Sequence, residues 1–227
     1  MATQLQLAPP AHFTLRRATL ADADAVCRFS RASFSATFGH LYSSADLATY
    51  LEESLSLSFF QGALTDSLRA LWIALTDEAG EALVVGYALA GPVCVPHAAA
   101  RPVDGELLKL YVAEAFKGRG VAQALLAPAV AWVRAGRCCA DAVALAESFA
   151  PGGTPPCVYV GVWSENFRAI AFYSRTGCRV VGEYLYEVGG ARDRELIMRL
   201  DPLDGGAGGG GEGDSKERKP PAREWSI

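Results

Sequence analysis

The stretch that decides the fold runs from Glu106 to Leu126 and reads ELLKLYVAEAFKGRGVAQALL. Its first part, ELLKLYVAE, is an apolar run that predicts a strand. From Val121 onward the apolar residues have helical spacing. Between the two parts, Gly118 and Gly120 let the backbone come close to a ligand, and the free amides of the new helix point outward. The stretch therefore predicts a strand that passes through a glycine turn into a helix.

The glycine turn, Lys117 to Ala122, predicts a site for an anion. The positive end of the helix dipole lies behind its free amides, and Lys117 and Arg119 add positive charge. Such a turn can hold a pyrophosphate, although a glycine-rich helix start is also a common structural turn. The P-loop pattern GxxxxGK with Ser or Thr is absent here, and so is the dinucleotide pattern GxGxxG.

A second group of polar residues lies in ENFRAIAFYSRTG, where Asn166 precedes Tyr173 by seven positions. Seven residues turn a helix through roughly 700°, so both side chains return to nearly one face, about 10 Å apart along the axis. That face can follow an extended ligand. The alternative interpretation makes Asn166 a helix cap and Tyr173 a core aromatic.

The remaining chain alternates short β-rich runs with helical ones, which predicts an α/β fold. Thr19 and Asp22 form a capping pair for a first helix that runs towards Phe38, and Ser44 caps a second. Pro128 should kink or divide the helix in which it lies. Residues 136–156 predict an irregular insertion with one short helix. The predicted strands are 13–18, 71–76, 83–90, 106–114, 157–163, 179–187 and 194–200, and the last two helices are 121–135 and 165–176.

Composition limits the class of protein. The 227 residues are 51% hydrophobic and 20% charged, which suits one globular domain with a sizeable core. The net charge of −4 gives no reason to expect a nucleic-acid partner and mildly suits a cationic substrate. Apolar runs stay short of the ~20 residues of a membrane span. The six cysteines form no CxxC pair, so we expect a reduced, cytoplasmic protein.

Three segments divide the chain. Residues 1–12 are expected to be a flexible terminus, and with a first strand near Phe13 they leave little room for a signal peptide. Residues 13–203 form the predicted domain. Residues 204–227 are dominated by glycine and charge, which predicts a disordered tail because almost nothing in it could be buried.

Two motifs in this order, LYVAEAFKGRGVAQALL and VYVGVWSENFRAIAFYSRTGCRVVGEY, resemble the GNAT superfamily of acetyl-CoA-dependent N-acetyltransferases. The family signature is Gln or Arg, two residues, Gly, one residue, then Gly or Ala. Lys117, Gly120 and Ala122 occupy those places; Lys117 keeps the charge but loses the planar fork of Arg. The resemblance implies a mixed, mostly antiparallel sheet of six to seven strands, about four helices, and a splayed strand pair that forms the cofactor cleft.

The resemblance also assigns roles to individual residues. It implies that amides of Gly118, Arg119, Gly120, Val121 and Ala122 bind the pyrophosphate of CoA, with Lys117 beside them. The backbone of Leu110, Tyr111 and Val112 would follow the pantetheine arm, and Asn166 would hydrogen-bond the cofactor. Tyr173 would protonate the leaving thiolate, for which a phenol with a pKa near ~10 is a reasonable match.

The acceptor side is less defined. The resemblance is closest to bacterial polyamine acetyltransferases, and it makes Glu106 the candidate base; a solvated strand-end charge is the alternative. Asp46, Glu52 and Glu53 would form an acidic rim for a polyamine, or merely the wet face of a helix. His40 is a further candidate on the substrate side.

Competing functions remain open at this point. The acceptor is expected to be a small-molecule amine or a peptide amine, and acetylation of a peptide N-terminus or a lysine is the alternative reaction. A non-catalytic CoA-binding regulator is the alternative from another class. Histidine and cysteine lack ligand spacing, so no metal is expected, and adjacent Cys138 and Cys139 are interpreted as packing residues. A homodimer is compatible with the family.

Overall fold

The computed structural model describes residues 12–78, 80–188 and 190–202. Predictions for the first residues of the chain and for the tail lie outside these ranges, apart from His12. The strands are β1 (Thr14–Arg17), β2 (Ala70–Glu78), β3 (Glu81–Pro92), β4 (Gly105–Val112), β5 (Val158–Trp163), β6 (Arg179–Val188) and β7 (Ala191–Leu200). The helices are α1 (Ala23–Phe38), α2 (Ser44–Ser54), α3 (Leu57–Thr65), α4 (Val121–Arg134), α5 (Ala142–Phe149) and α6 (Phe167–Arg175).

The strands form one seven-stranded sheet in the order β1-β2-β3-β4-β5-β7-β6. Adjacent strands run antiparallel except β4 and β5, which run parallel. This is the mixed, mostly antiparallel sheet that the resemblance implies. The parallel pair is joined by the segment that contains α4 and α5, because parallel neighbours need a long crossover.

Helices cover both faces of the sheet. On the first face, α4 and α6 bury Val121, Leu125, Ala169 and Tyr173 against strand residues that include Val112. On the second face, α1 and α3 bury a cluster rich in aromatic side chains, among them Phe34, Phe60, Tyr87, Tyr111 and Tyr186. These two faces are called the α4 face and the α1 face below. The sheet therefore separates two chemically different surroundings.

The most consequential feature of the sheet is the fork between β4 and β5. Among the described residues, the ladder between them has two register pairs, Gly105 with Val158 and Glu106 with Tyr159. Beyond Glu106, β4 continues towards Val112 beside β3 and no longer pairs with β5. The two strands therefore diverge, as the splayed pair of the sequence-based prediction requires.

Several local predictions need correction. The cap of α2 is Ser43, whose side chain accepts from the Asp46 amide, and not the predicted Ser44. The described chain has six α-helices rather than about four, because Ser56 caps an unpredicted helix, α3. Pro128 does not divide α4, which stays continuous because Leu125 and Ala129 on either side are buried against the sheet. Burial of this apolar face outweighs the hydrogen bond that proline removes.

Other local predictions are confirmed. The Asp22 carboxylate accepts from both the amide and the hydroxyl of Thr19, which completes the predicted capping pair. Arg16 donates to the same carboxylate, and these interactions hold the pKa of Asp22 well below its ordinary value, with the Arg16 hydrogen bond as the largest cause. The insertion contains one short helix, α5.

Candidate active site

The glycine turn has the backbone that an anion site needs. Gly118 and Gly120 have φ of +75° and +84°, a conformation that residues with a side chain rarely adopt. A Cβ at either position would meet no atom within 4 Å, so the space beside the turn is open. Gly120 is the cap residue of α4, and the amides of Val121 and Ala122 follow it in the first turn, where they lack intrahelical acceptors.

Cationic side chains gather at this turn. Lys117 and Arg168 both pair with Glu114, at 2.8 Å and 3.2 Å, so the first turn of α6 lies beside the start of α4. These hydrogen bonds, that of Lys117 first, lower the pKa of Glu114. Arg119 is exposed and lies over the ring of Phe116. The two sequence motifs are therefore neighbours, and Arg168 is a cation that sequence reasoning missed.

Helix α6 carries the second predicted group of residues. The Oδ1 atom of Asn166 accepts from the Ala169 amide at 3.1 Å, so Asn166 caps the helix as the alternative interpretation had it. This cap uses the amide oxygen and leaves the Asn166 nitrogen as a donor for another group. Tyr173 is fully buried on the α4 face, in one cluster with Val112 of β4 and Val162 of β5. Tyr173 thus shares its cluster with residues from both strands of the fork.

The β4 residues predicted to follow the cofactor lie along the fork. Leu110 and Val112 point to the α4 face, whereas Tyr111 points to the α1 face and stacks on Tyr87 at 5.5 Å between ring centroids. Leu89 pairs with Lys109 and Ala90 with Leu107, so the ladder to β3 shifts register here. The shift is a β-bulge, which bends the strand and strengthens its twist.

Glu106 is held firmly at the base of the fork. Its side chain is buried, and Oε2 accepts from the amides of Cys94 and Val95 at 2.8 and 2.9 Å. The carboxylate therefore anchors the segment that follows β3. Glu106 is not the solvated strand-end charge of the alternative interpretation, and its role as a base stays a prediction.

On the α1 face, a buried carboxylate lies against the same fork. Glu195 of β7 is 2% exposed and accepts a hydrogen bond from the Tyr184 phenol of β6. Its burial raises the pKa of Glu195 to about 7, although the hydrogen bond from Tyr184 acts in the opposite direction. A Cβ at Gly161 would lie 2.6 Å from Glu195 Oε2 and 2.9 Å from Tyr184 Oη. Gly161 therefore provides the room for this pair on β5.

A second acid–phenol pair lies nearer the surface on the same side of β7. Tyr42 donates to Oδ2 of Asp193 at 2.8 Å, and both residues are half-buried. Burial raises the pKa of both groups, and the nearby charge of Glu165 adds to the effect on Asp193. The α1 face thus has two carboxylates on β7, Asp193 and Glu195, and each of them accepts from a phenol.

The residues of the predicted acidic rim are dispersed. Asp46 accepts from the Gly190 amide at 2.9 Å and so fastens α2 to the end of the β6–β7 hairpin. Glu52 lies 3.5 Å from Arg31, and Glu53 is exposed. His40 is exposed in the turn after α1. Of the residues predicted to form the acidic rim, Asp46 makes a structural contact, whereas Glu52 and Glu53 lie on the solvent-exposed face of α2.

Sequence reasoning also missed a buried cation. Lys109 of β4 is fully buried on the α1 face, where Nζ donates to the Ser54 carbonyl at 3.0 Å. The same ammonium lies 5.0 Å from the ring centre of Phe59. The sequence did contain a signal for this buried lysine, because Lys109 lies between apolar residues in the predicted strand ELLKLYV. This contact ties β4 to the end of α2.

Comparison with known proteins agrees with this arrangement. The model of the acetyltransferase (GNAT) family matches residues 35–151. Uncharacterised N-acetyltransferases of Mycobacterium tuberculosis and Mycobacterium bovis are 27% identical over 179 residues, which is 79% of this chain and 97% of theirs.

Solved structures share the fold. PaiA N-acetyltransferase from Thermoplasma acidophilum, in complex with coenzyme A, is 15% identical with a TM-score of 0.57, covering 84% of this chain and 99% of its own. Arabidopsis thaliana NAA60 with a bisubstrate analogue is 19% identical with a TM-score of 0.57 and the same coverage. YncA from Salmonella typhimurium with acetyl-CoA is 18% identical with a TM-score of 0.54, covering 88% and 99%.

A mixed sheet with a forked parallel pair, and a glycine turn that opens a helix beside the fork, define an N-acetyltransferase. The chain belongs to the GNAT acetyltransferase family. Within the described residues, no helix combines the length and apolarity needed to cross a membrane.

Proposed function

We propose that this chain transfers the acetyl group of acetyl-CoA to a primary amine by direct attack in a ternary complex. The observation that carries the proposal is the position of the β4–β5 fork. On its α4 face lie the glycine turn and Tyr173, and on its α1 face lies the acidic pair of Glu195 and Tyr184. A cofactor and an amine that enter from opposite faces would meet in the fork.

The chain's residues fit acetyl-CoA at the α4 face. The open side of the glycine turn, with Lys117, Arg119 and Arg168 around it, suits a pyrophosphate. PaiA and YncA, which share the fold, are described with coenzyme A and acetyl-CoA bound. The backbone of β4 from Leu110 to Val112 would accompany the pantetheine arm, and Asn166 would donate through its amide nitrogen. When bound, acetyl-CoA supplies the thioester carbonyl that the amine attacks.

Tyr173 is proposed to donate a proton to the CoA sulfur as the thioester bond breaks. Its burial beside the fork keeps water away from this proton, and a phenol is a fair acid for a thiolate. The proton of the incoming amine needs an acceptor on the opposite face of the sheet. Glu106 is the acceptor expected from the sequence.

The acceptor is proposed to be a cationic amine of the polyamine type. Asp193 and Glu195 lie on one face of β7, and Tyr42 and Tyr184 flank them, a combination of carboxylates and aromatic rings that suits an ammonium group. Asp193 and Glu195, rather than the dispersed Asp46, Glu52 and Glu53, are the carboxylates proposed to attract the amine.

The decisive experiment measures CoA thiol release from acetyl-CoA with spermidine, spermine, free amino acids, neutral amines and peptides. We expect spermidine-like amines to give the highest kcat/KM, and raised salt to reduce the advantage because it screens the carboxylates. A preference for peptides would favour the alternative, N-terminal or lysine acetylation. Binding of acetyl-CoA without thiol release from any amine would favour a CoA-binding regulator.

A further inference from the structure

A proton acceptor is required on the α1 face because an ammonium group cannot attack a thioester. Among the described residues, three buried carboxylates lie near the β4–β5 fork: Asp104 just before β4, Glu106 on β4 and Glu195 on β7. Asp104 is paired with Arg101 and accepts from the Cys157 amide. Glu106 Oε2 is occupied by two backbone amides that anchor the segment after β3. Glu195 instead accepts from a phenol, the side chain of Tyr184.

The position of Glu195 relative to the fork follows from the register of three strands. The ladder between β4 and β5 ends at Tyr159, and Gly161 is the next residue on the same face of β5. Glu195 and Tyr184 approach Gly161 so closely that any side chain there would collide with them. The carboxylate therefore lies directly beyond the last paired residue, where β4 and β5 separate.

The Tyr42–Asp193 pair lies between this carboxylate and the more exposed end of β7. Asp193 lies two residues before Glu195 on β7, so both side chains are on one face, and the half-buried Tyr42–Asp193 pair lies on the outer side. A cation attracted to Asp193 is thereby brought towards Glu195. Adjacent carboxylates of this kind attract a cation and also favour proton uptake by the inner one.

We propose that the Glu195 carboxylate, held by Tyr184 against Gly161 at the β4–β5 fork, accepts the proton that the acceptor amine loses before it attacks the acetyl group. The proposal rests on the function proposed above. It makes Glu195 a catalytic residue and Tyr184 a positioning residue. Glu106 then has a structural role at the base of the fork.

The proposed reaction forms one C–N bond, breaks one C–S bond and releases one proton. The ammonium loses one proton to Glu195, and its nitrogen lone pair forms the C–N bond with the thioester carbonyl. As the tetrahedral intermediate collapses, the C–S bond breaks and the thiolate takes a proton from Tyr173. The second proton of the nitrogen replaces the proton that Tyr173 gave to the thiolate, and Glu195 releases its proton to solvent after the reaction. The products are an amide, CoA thiol and one proton.

The surroundings of Glu195 suit this role. The titratable groups that act on the pair are Tyr184 and Tyr186 of β6, Asp193 of β7, Glu106 of β4 and Tyr42 before α2. Burial and the charge of Asp193 favour the protonated carboxyl of Glu195, whereas the hydrogen bond from Tyr184 favours the carboxylate. A carboxylate that titrates near neutral pH is a better base than an ordinary glutamate.

The test is the pH profile of kcat/KM for spermidine in the full chain, with thiol release as the readout. We expect Glu195→Gln to lower kcat/KM at pH 7 by roughly 10²-fold to 10³-fold and to regain activity steadily as the pH rises, because more of the amine is then free base. Tyr184→Phe should move the acidic limb of the pH profile, and it should reduce kcat less than Glu195→Gln does. Glu183→Gln, an exposed change on the adjacent position of β6, should leave the profile unchanged.

Several results would overturn the role of Glu195. A Glu195→Gln protein with wild-type kcat/KM and an unchanged profile would contradict it, and the same loss in Glu106→Gln alone would give the role to Glu106. If Glu195→Gln fails to fold, Glu195→Asp and Tyr184→Phe test the same limb, and unchanged profiles in both would contradict the proposal. A wild-type chain that binds acetyl-CoA but acetylates no amine would contradict the proposed function itself.

Discussion

Tyr184 and Glu195 are direct partners across the β6–β7 hairpin, and the phenol donates a hydrogen bond to the carboxylate Oε2. The pair lies against Gly161 of the neighbouring strand, which has no side chain to exclude it. Two cross-strand contacts thus place a fully buried acid where the sheet forks. An acid without a cationic partner in such a place is costly to ionise, and that cost is measurable.

The first prediction concerns stability against pH. The pKa of Glu195 is raised by burial from 4.5 to about 7 in the folded chain, so the unfolded chain ionises first as the pH rises. The stability that Glu195 contributes is therefore fully present below pH 4.5 and is lost by about pH 7. One pKa unit is about 1.4 kcal/mol, so we expect a loss of about 3 kcal/mol from this residue.

Urea denaturation of wild type and Glu195→Gln between pH 4.5 and pH 8 measures this loss. The free energy of unfolding of the variant, relative to wild type, should increase by about 3 kcal/mol across that range. Glu183→Gln, in which an exposed partner of Arg194 is changed, should show no such trend. A constant difference between Glu195→Gln and wild type would mean that folding does not raise the pKa of Glu195.

The second prediction concerns Tyr173. Tyr173→Phe keeps the ring and its packing on the α4 face, so stability and acetyl-CoA affinity should change little. Turnover should fall by roughly 10²-fold to 10⁴-fold if the phenol proton is needed in the transition state. Thiol-release kinetics and calorimetry of acetyl-CoA binding separate the two effects. Near-wild-type turnover with an intact fold would reduce Tyr173 to a core aromatic.

The third prediction concerns the glycine turn, for which the chain offers a matched control. Gly120 and Gly152 both have positive φ, +84° and +80°, and both have open space where a Cβ would project. Valine at either position should therefore cost a similar amount of stability, about 1 to 2 kcal/mol.

Gly120→Val should in addition weaken acetyl-CoA binding at least tenfold, because the side chain would fill the space proposed for the pyrophosphate. Gly152→Val should bind as wild type does. Calorimetric titration with acetyl-CoA makes the comparison, and equal affinity in the two variants would refute the assignment of the turn to the pyrophosphate.

The fourth prediction concerns Glu106 as an anchor. Glu106→Ala leaves the buried amides of Cys94 and Val95 without this acceptor, which should cost about 2 to 5 kcal/mol of stability. Glu106→Gln keeps an acceptor oxygen and should cost less than about 1.5 kcal/mol. Chemical denaturation orders the two variants. Equal stability of Glu106→Ala and wild type would show that the anchor is dispensable.

The sequence by itself determined the class of fold, and it predicted the cofactor side of the site. Both depend on short-range information: a strand that ends in glycines, followed by a helix, is readable in KGRGVA, and seven-residue spacing relates Asn166 to Tyr173. The pairing of Tyr184 with Glu195 was not predicted, although the sequence contains a signal for it. Both residues lie equally far from the Gly189-Gly190 dipeptide, a typical hairpin turn.

Only the tertiary structure decided which acids are buried on the α1 face. Asp46, Glu52 and Glu195 look alike in sequence, because a carboxylate's burial depends on strands that are distant along the chain. The β4–β5 fork, Gly161 and the β6–β7 hairpin come together from three regions, and their contact is what removes Glu195 from water. Its raised pKa is a property of that enclosure and of no local pattern.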